Sequence, residues 1–276
     1  MTDYSKIKQL IMDADAILIG AGAGLSTAAG ISYGKEGFTK HFPELYQKYG
    51  MTDMYSSSFY PFSSEEEKWS YWAKHIDYLY NVDAKEGYRN LYELVKEKEY
   101  FVITTNVDGQ FLKAGFDSDK VFEIQGSLSK IQCSVPCHNE LYDDLELVRK
   151  MREQDKDCKV PTNLVPRCPR CHEVMEVNLR KDDTFVEDAH WHTQNERYEQ
   201  FLNRYQDRKL VLMELGVGWN TPGIIRIPFE ELTNQHSSVT LIRVNQDSLQ
   251  SLYPLSKRLI ATSEDCCEFL RKLVEY

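Results

Sequence analysis

The sequence predicts an α/β fold built on a parallel sheet, with a small metal-binding module inserted in it. Three observations carry this. Short apolar runs alternate with helical patterns along most of the chain, the signature of parallel strands joined by crossover helices. Several runs end in glycine or polar residues, and the carboxyl edge is where open parallel sheets bind ligands. Between residues 133 and 180 the alternation gives way to a charged stretch that carries two close cysteine pairs.

The elements follow in order. Residues 15–20 form an apolar run ending in Gly20, read as a buried strand. Residues 31–62, rich in Tyr, Phe, Ser and Gly without a clear period, read as a long loop with short helices. Residues 65–80 repeat Trp69, Trp72, Ile76 and Leu79 at three- and four-residue steps, so the stripe faces a core and the tryptophans pack. A second helix is expected at 85–97. A β-branched and aromatic strand follows at 100–106, with its polar residues at the carboxyl end. Further strands fall at 121–125, 209–216 and 239–245, and further helices at 193–205 and 264–274. These strands are near-continuous apolar runs, as strands covered on both faces must be.

A chain of 276 residues allows one domain with a large insertion or two unequal ones. Gly 14 and Pro 9 fall below the typical ~7% and ~5%, which excludes collagen-like or long disordered tracts. The most apolar stretch, residues 16–31, is shorter than the ~20 residues of a membrane span and contains Gly, Ser and Thr. Met1-Thr2-Asp3-Tyr4 has no basic or apolar leader character, so a cytoplasmic location without membrane association is expected. A net charge of −10 argues against nucleic acid as a partner.

The 7 cysteines are an odd number, and without a leader they read as metal ligands in a reducing compartment. Cys133-x3-Cys137 and Cys168-x2-Cys171 form two knuckles able to enclose one tetrahedral Zn2+. Four thiolates leave no position for water, so the expected zinc is structural. Cys158 has no near partner, and His138 and His172 directly follow ligand candidates.

Gly20-Ala21-Gly22-Ala23-Gly24 follows the first strand and precedes a segment able to open a helix. Glycines let backbone approach a diphosphate, and a helix start offers it N–H groups. The spacing is not the G-x-G-x-x-G dinucleotide fingerprint, and no second strand ending in an acid follows about 20 residues on, which disfavours a hydride-transferring dehydrogenase. Alone, the segment also fits a tight strand-to-helix turn that binds nothing.

Three polar clusters at strand ends complete a wider pattern: Thr105-Asn106-Val107-Asp108, Gln125-Gly126-Ser127 and Val244-Asn245. The run from Gly20 to Ile31 resembles the sirtuin cofactor-loop motif G-A-G-x-S-x-x-x-G-I, and Thr104-Thr105-Asn106-Val107-Asp108 with Ala114-Gly115 resembles T-Q-N-x-D…A-G. The two cysteine pairs resemble the sirtuin zinc ribbon. The resemblance implies a Rossmann-like, doubly wound parallel sheet with a small inserted zinc domain. It divides the chain into 1–130, a first Rossmann-like part with cofactor loop and helical insertion, 131–180, the zinc module, and 181–276, the second Rossmann-like part. It also implies NAD as a substrate whose nicotinamide leaves. By carry-over Gly20, Ala21, Gly22, Ala23, Ser26 and Gly30 line the cofactor loop, and Gly22, Ala23 and Ser26 the diphosphate. Asn106 holds the nicotinamide ribose or an ordered water, Asp108 the carboxamide, and Asn245 the adenosine ribose. Gly216, Gly218 and Cys266 join the cofactor set. For Asp108, capping the helix that starts near Gly109 remains the alternative.

Departures from the family matter equally. The Pro-x-Phe-Arg element after the cofactor loop is replaced by Ser32-Tyr33-Gly34-Lys35, Phe-Gly-Glu by Phe185-Val186-Glu187, and Gly-Thr-Ser by Gly216-Val217-Gly218. The catalytic histidine of His-Gly is Gln125. This set resembles the macrodomain-linked sirtuins, which implies a protein ADP-ribosyltransferase with Asn106, Asp108, Gln125 and Arg180 as catalytic candidates. The implied partners are a lipoyl-carrying, glycine-cleavage-H-like acceptor protein and a functional link to a macrodomain hydrolase. Two alternatives stay open: an NAD-dependent protein lysine deacylase, and an inactive NAD-binding sensor.

Overall fold

Strand β1 (Ala16–Ala21) is the centre of the molecule, because both of its neighbours are reached only after the chain has travelled away and returned. In the computed structural model, which describes residues 2–31, 34–255 and 257–276, β1 pairs in parallel with β2 (Tyr100–Thr104) and β7 (Leu210–Leu215). β3 (Val121–Glu123) extends the sheet beyond β2, and β8 (Val239–Val244) and β9 (Leu259–Thr262) extend it beyond β7. The resulting order, β3-β2-β1-β7-β8-β9, is a doubly wound Rossmann-like sheet.

Side-chain alternation explains why the strands are apolar throughout. Ile17, Ile19 and Ala21 enter a core with α1 (Tyr4–Asp13), α7 (Glu86–Val95) and α12 (Cys266–Glu275). Ala16 and Leu18 enter the opposite core with α10 (Ala189–Tyr205) and α11 (Arg226–Gln235). Period-2 alternation therefore buries both faces of one strand.

The second layer is separate. β4 (Gly126–Cys133), β5 (Tyr142–Asp143) and β6 (Met175–Leu179) form an antiparallel sheet ordered β5-β4-β6. It shares one core with α3 (Lys35–His41), α4 (Pro43–Tyr49), α5 (Met54–Ser57), α6 (Glu65–Asn81) and α9 (Leu145–Gln154). The segment read as a loop with short helices is thus three helices packed on the cysteine module. Trp69, Trp72, Ile76 and Leu79 are buried in this core, as their spacing predicts. α6 starts on Ser64, whose hydroxyl accepts the Glu67 N–H, with Glu65, Glu66 and Glu67 in its first turn. Among the described residues no helix is long and apolar enough to cross a membrane.

Candidate active site at the carboxyl edge

Winding reverses between β1 and β7, so the crevice beyond their carboxyl ends is where this topology offers a ligand site. The turn after β1 is held there by backbone bonds: Gly22 N–H donates to Leu215 O at 3.0 Å, and Gly24 N–H to Gly216 O at 3.0 Å. A Cβ on Gly22 would lie 2.7 Å from Gly216 O, and one on Gly24 2.7 Å from Gly216 Cα, so these glycines are demanded by the approach of the β7 loop. Gly20 serves packing too, since its Cβ would lie 2.4 Å from Ile225 and 2.7 Å from Phe229. The short α2 (Ala23–Ala28) then ends in a Schellman turn: Gly30 has φ +78°, and Ile31 N–H returns to Ser26 O. Among the described residues the Ala23 N–H takes no hydrogen-bond partner, and Ala23 is exposed, which fits a diphosphate oxygen. Ser32 and Tyr33, where the sequence departs from Pro-x-Phe-Arg, lie outside the described residues.

Ser26, Asn106 and Asp108 are brought together, and the structure adds Tyr88 from α7. Asn106 Nδ2 donates to Gly22 O at 3.0 Å and to Tyr88 Oη at 3.2 Å. Tyr88 Oη lies 2.7 Å from Ser26 Oγ, which in turn donates to Asp108 Oδ2 at 2.6 Å. Because the Ser26 proton goes to the carboxylate, Tyr88 must be the donor to Ser26. The chain therefore has one direction, Asn106 to Tyr88 to Ser26 to Asp108. Both Asn106 N–H groups are used inside the protein, which leaves its carbonyl oxygen as the group to present to a ligand. Asp108 Oδ1 also accepts the Gln110 N–H at 3.1 Å at the start of α8 (Gln110–Lys113), so the capping role and a ligand role are compatible. Tyr88 escapes sequence reading because it sits in an apolar helical stripe with Leu91 and Val95.

Gln125 is partly buried between β3 and β4, and its carbonyl accepts the Arg180 N–H at 3.0 Å. The Arg180 guanidinium pairs with Glu187 at 2.5 Å and lies over the Phe185 ring at 4.3 Å, so it walls the Gln125 segment instead of projecting freely. Two residues before Gln125, Glu123 ends β3 on the same sheet face as Val121. Burial first, and the Asp108 carboxylate second, push its carboxyl up to about 8 against an opposing hydrogen bond from Ser127. An acid closing an apolar strand at the ligand edge was a legible signal for it.

The loops after β7 and β8 complete the crevice. Asn245 Nδ2 donates to Val217 O at 2.7 Å, while its Oδ1 accepts from Asp247 N at 2.9 Å and Ser248 N at 3.1 Å, so this amide ties the two loops together. Gly216 has φ +62°, and a Cβ on Gly218 would meet nothing within 4 Å. Cys266 is buried at the start of α12, with Sγ 3.6 Å from Val244 O beneath the cleft. Under these loops lies a charge cluster that sequence reading passed over. Fully buried Glu214 of β7 accepts from Arg243 of β8 at 2.7 and 2.8 Å and from Arg226 of α11 at 3.3 Å, and Arg243 also reaches Glu230 at 2.7 Å. Charged residues inside otherwise apolar strands were the available clue.

The four cysteines converge. Cys133, Cys137, Cys168 and Cys171 place their Sγ atoms within 4.8 Å of one another, with Cys133–Cys171 at 3.5 Å and Cys137–Cys168 at 3.6 Å. Zn–S bonds of about 2.3 Å in a tetrahedron need sulfur–sulfur separations of about 3.8 Å, so the cluster can hold one zinc ion. His138 supports it from outside, with Nδ1 3.0 Å from Cys137 Sγ and Nε2 2.9 Å from Tyr142 Oη. Cys158 stands apart, buried in the core of the small layer.

Comparison with known proteins agrees with this geometry. The Sir2 family pattern matches residues 22–206. A protein ADP-ribosyltransferase of Staphylococcus aureus is 37% identical over 261 residues, 94% of this chain and 83% of that protein. A probable bifunctional ADP-ribose hydrolase/ADP-ribosyltransferase of Fusarium oxysporum is 32% identical over 251 residues, 87% of this chain and 42% of that protein. A Sir2 homologue solved with NAD shares the fold at TM-score 0.63 and 18% identity, over 100% of this chain and 93% of that one. Sir2Tm bound to a propionylated peptide does so at TM-score 0.65 and 18% identity, over 99% and 98%. With the family pattern matching two thirds of its length and a relative 37% identical across most of both proteins, the chain belongs to the Sir2 family.

Proposed function

We propose that this protein transfers ADP-ribose from NAD to a protein and is a poor deacylase. The observation that supports it most is Gln125, two residues past the end of β3, the strand that pairs with the one Asn106 and Asp108 follow. When bound, NAD supplies an electrophilic ribose carbon and nicotinamide as leaving group. The Asn106 carbonyl is oriented to accept from a ribose hydroxyl, since both of its N–H groups are held by Gly22 O and Tyr88. Asp108 offers negative charge toward the cationic nicotinamide ring and its amide. The Ala23 N–H and the close-packed Gly22 turn suit the diphosphate.

Deacylation adds a stage in which a ribose hydroxyl must lose a proton, and a general base there is worth ~10²–10⁴ in rate. The Gln125 amide has no proton-accepting state near neutrality. Transfer to a nucleophile omits that stage and leaves Gln125 to orient the ribose or the acceptor by hydrogen bonding.

The names of the two relatives support the transferase reading, and the Fusarium protein pairs it with an ADP-ribose hydrolase in one chain. A lipoyl-carrying, glycine-cleavage-H-like acceptor follows from the family resemblance and extends the proposal, as does a cytoplasmic setting, which the free thiols suit. The test is label transfer from NAD to lipoylated and unlipoylated carrier protein, beside release of acetate from an acetylated peptide. Labelling by the wild type that is lost in Asn106→Ala and reduced in Gln125→Ala is expected. Robust deacetylation, or labelling untouched in both variants, refutes it.

A further inference from the structure

Trp219 is the aromatic side chain of the loop after β7, and its setting is unusual for an exposed tryptophan. It is 45% exposed, yet both its edge and one face are fixed. Its Nε1–H donates to Ser248 Oγ at 3.0 Å, and the Arg226 guanidinium lies under the ring at 4.5 Å from the centroid. Arg226 cannot drift, being fully buried and bonded to Glu214 at 3.3 Å, Val217 O at 3.2 Å, Ser248 O at 3.2 Å and Gln250 O at 2.9 Å. Arg243 and Glu230 brace the same loop, through Gln250 O at 2.6 Å and the Leu252 N–H at 2.7 Å. With one face covered and the indole N–H spent, the ring offers its other face and no donor. That combination suits stacking on a flat ring.

The order of the strands says which ring. Asn106, Asp108 and Gln125 follow β2 and β3, on one side of the Gly22 turn. A dinucleotide whose diphosphate lies on that turn must extend its other half over β7 and β8. Trp219 stands in that direction, three residues after Gly216, which touches the Gly22 turn directly. Beside it, the space around Gly218 is open.

We propose that the free face of the Trp219 indole is the stacking wall for the adenine ring of NAD, prepared by the buried Glu214–Arg226–Arg243–Glu230 cluster. This rests on the NAD reading above. Prior fixation of the ring lowers the ordering cost of binding. The wall selects for a flat base and contributes to binding in ground and transition states alike, so it acts on KM and leaves kcat nearly unchanged.

The experiment measures binding of AMP, ADP-ribose and nicotinamide mononucleotide by calorimetry and intrinsic fluorescence, in wild type, Trp219→Ala and Trp219→Phe. Melting curves verify that each variant is folded. Base stacking on an aromatic side chain gives an expected loss of about tenfold in AMP and ADP-ribose affinity for Trp219→Ala. Trp219→Phe restores most of it, and nicotinamide mononucleotide binds all three proteins alike. Wild-type fluorescence is quenched by AMP and not by nicotinamide mononucleotide. Unchanged AMP and ADP-ribose affinity in folded Trp219→Ala overturns the assignment, as does a uniform loss for all three ligands. A wild type that binds neither ADP-ribose nor AMP overturns the NAD reading itself.

Discussion

Ser26 Oγ donates to Asp108 Oδ2 at 2.6 Å, so one buried hydroxyl joins the turn after β1 to the loop after β2. Neither residue is held by its own element alone. Asp108 also accepts the Gln110 N–H, and Ser26 is supplied from behind by Tyr88, which also receives Asn106. The two side chains nearest the expected nicotinamide end thus share one scaffold, rooted in α7.

Tyr88→Phe tests that scaffold. The ring stays packed edge-on against Phe111 at 5.0 Å, so the fold should persist. Ser26 loses its donor and Asn106 one acceptor, and each orphaned buried group costs ~1–3 kcal/mol. The Asn106 amide is then held by its bond to Gly22 O alone and is less firmly oriented. We expect a melting point lower by several degrees, a kcat for NAD turnover lower by about tenfold, and ADP-ribose affinity within about twofold. Steady-state kinetics beside calorimetry measure both. Equal losses in kcat and ADP-ribose affinity would mean general damage and reject the orienting role.

The cysteine quartet gives a sharper chemical expectation. Cys133 closes β4, and Cys168 and Cys171 flank a tight turn whose His172, at φ +64°, returns its N–H to Cys168 O. Metal analysis should give one zinc per chain. Cys168→Ser should lose it, loosen the small layer, and lower activity only in step with unfolding, because structural zinc binding is folding energy. Zinc well below one per folded chain would disprove the site.

How much was legible depended on whether a residue's neighbours were near in sequence. The alternating strands, the tryptophan stripe of α6 and the cysteine knuckles are local patterns, and all were readable. The glycines were readable as a motif but not as a cause. Gly22 and Gly24 suggested space for a diphosphate, whereas the structure has the place of their missing side chains taken by the Gly216 backbone, from a far later part of the chain. The role of Tyr88 was not readable, and for Glu214 and Arg243 the buried charges were visible but not their pairing, because the partners come from distant strands and helices. One consequence is experimental. Gly22→Val would force its Cβ to 2.7 Å from Gly216 O and disturb β1–β7 packing. Gly218→Ala separates binding from folding better, since its Cβ enters open space. We expect an unchanged melting point with NAD affinity lowered several-fold. A destabilised Gly218→Ala, or one with unaltered NAD affinity, counts against placing Gly218 at the cofactor.

Glu123 gives the protein a pH signature that can be computed in sign. Its carboxyl is pushed up to about 8, by burial and then by Asp108, whose charge Lys113 of α8 also faces, whereas an unfolded glutamate titrates near ~4.3. Between these values the folded protein holds a proton that the unfolded chain releases. The stability this group contributes is therefore fully present below about pH 4.3 and lost as pH rises toward 8. Glu123→Gln keeps the neutral, hydrogen-bonding shape at every pH and removes the loss. The variant should melt close to wild type at pH 5 and several degrees above it at pH 8.5, where wild type carries two neighbouring carboxylates. At about 2–4 °C per kcal/mol for a chain of this class, the gap is measurable by calorimetry. Parallel melting curves for the two proteins from pH 5 to 8.5 would show that the Glu123 carboxyl is not raised by its surroundings.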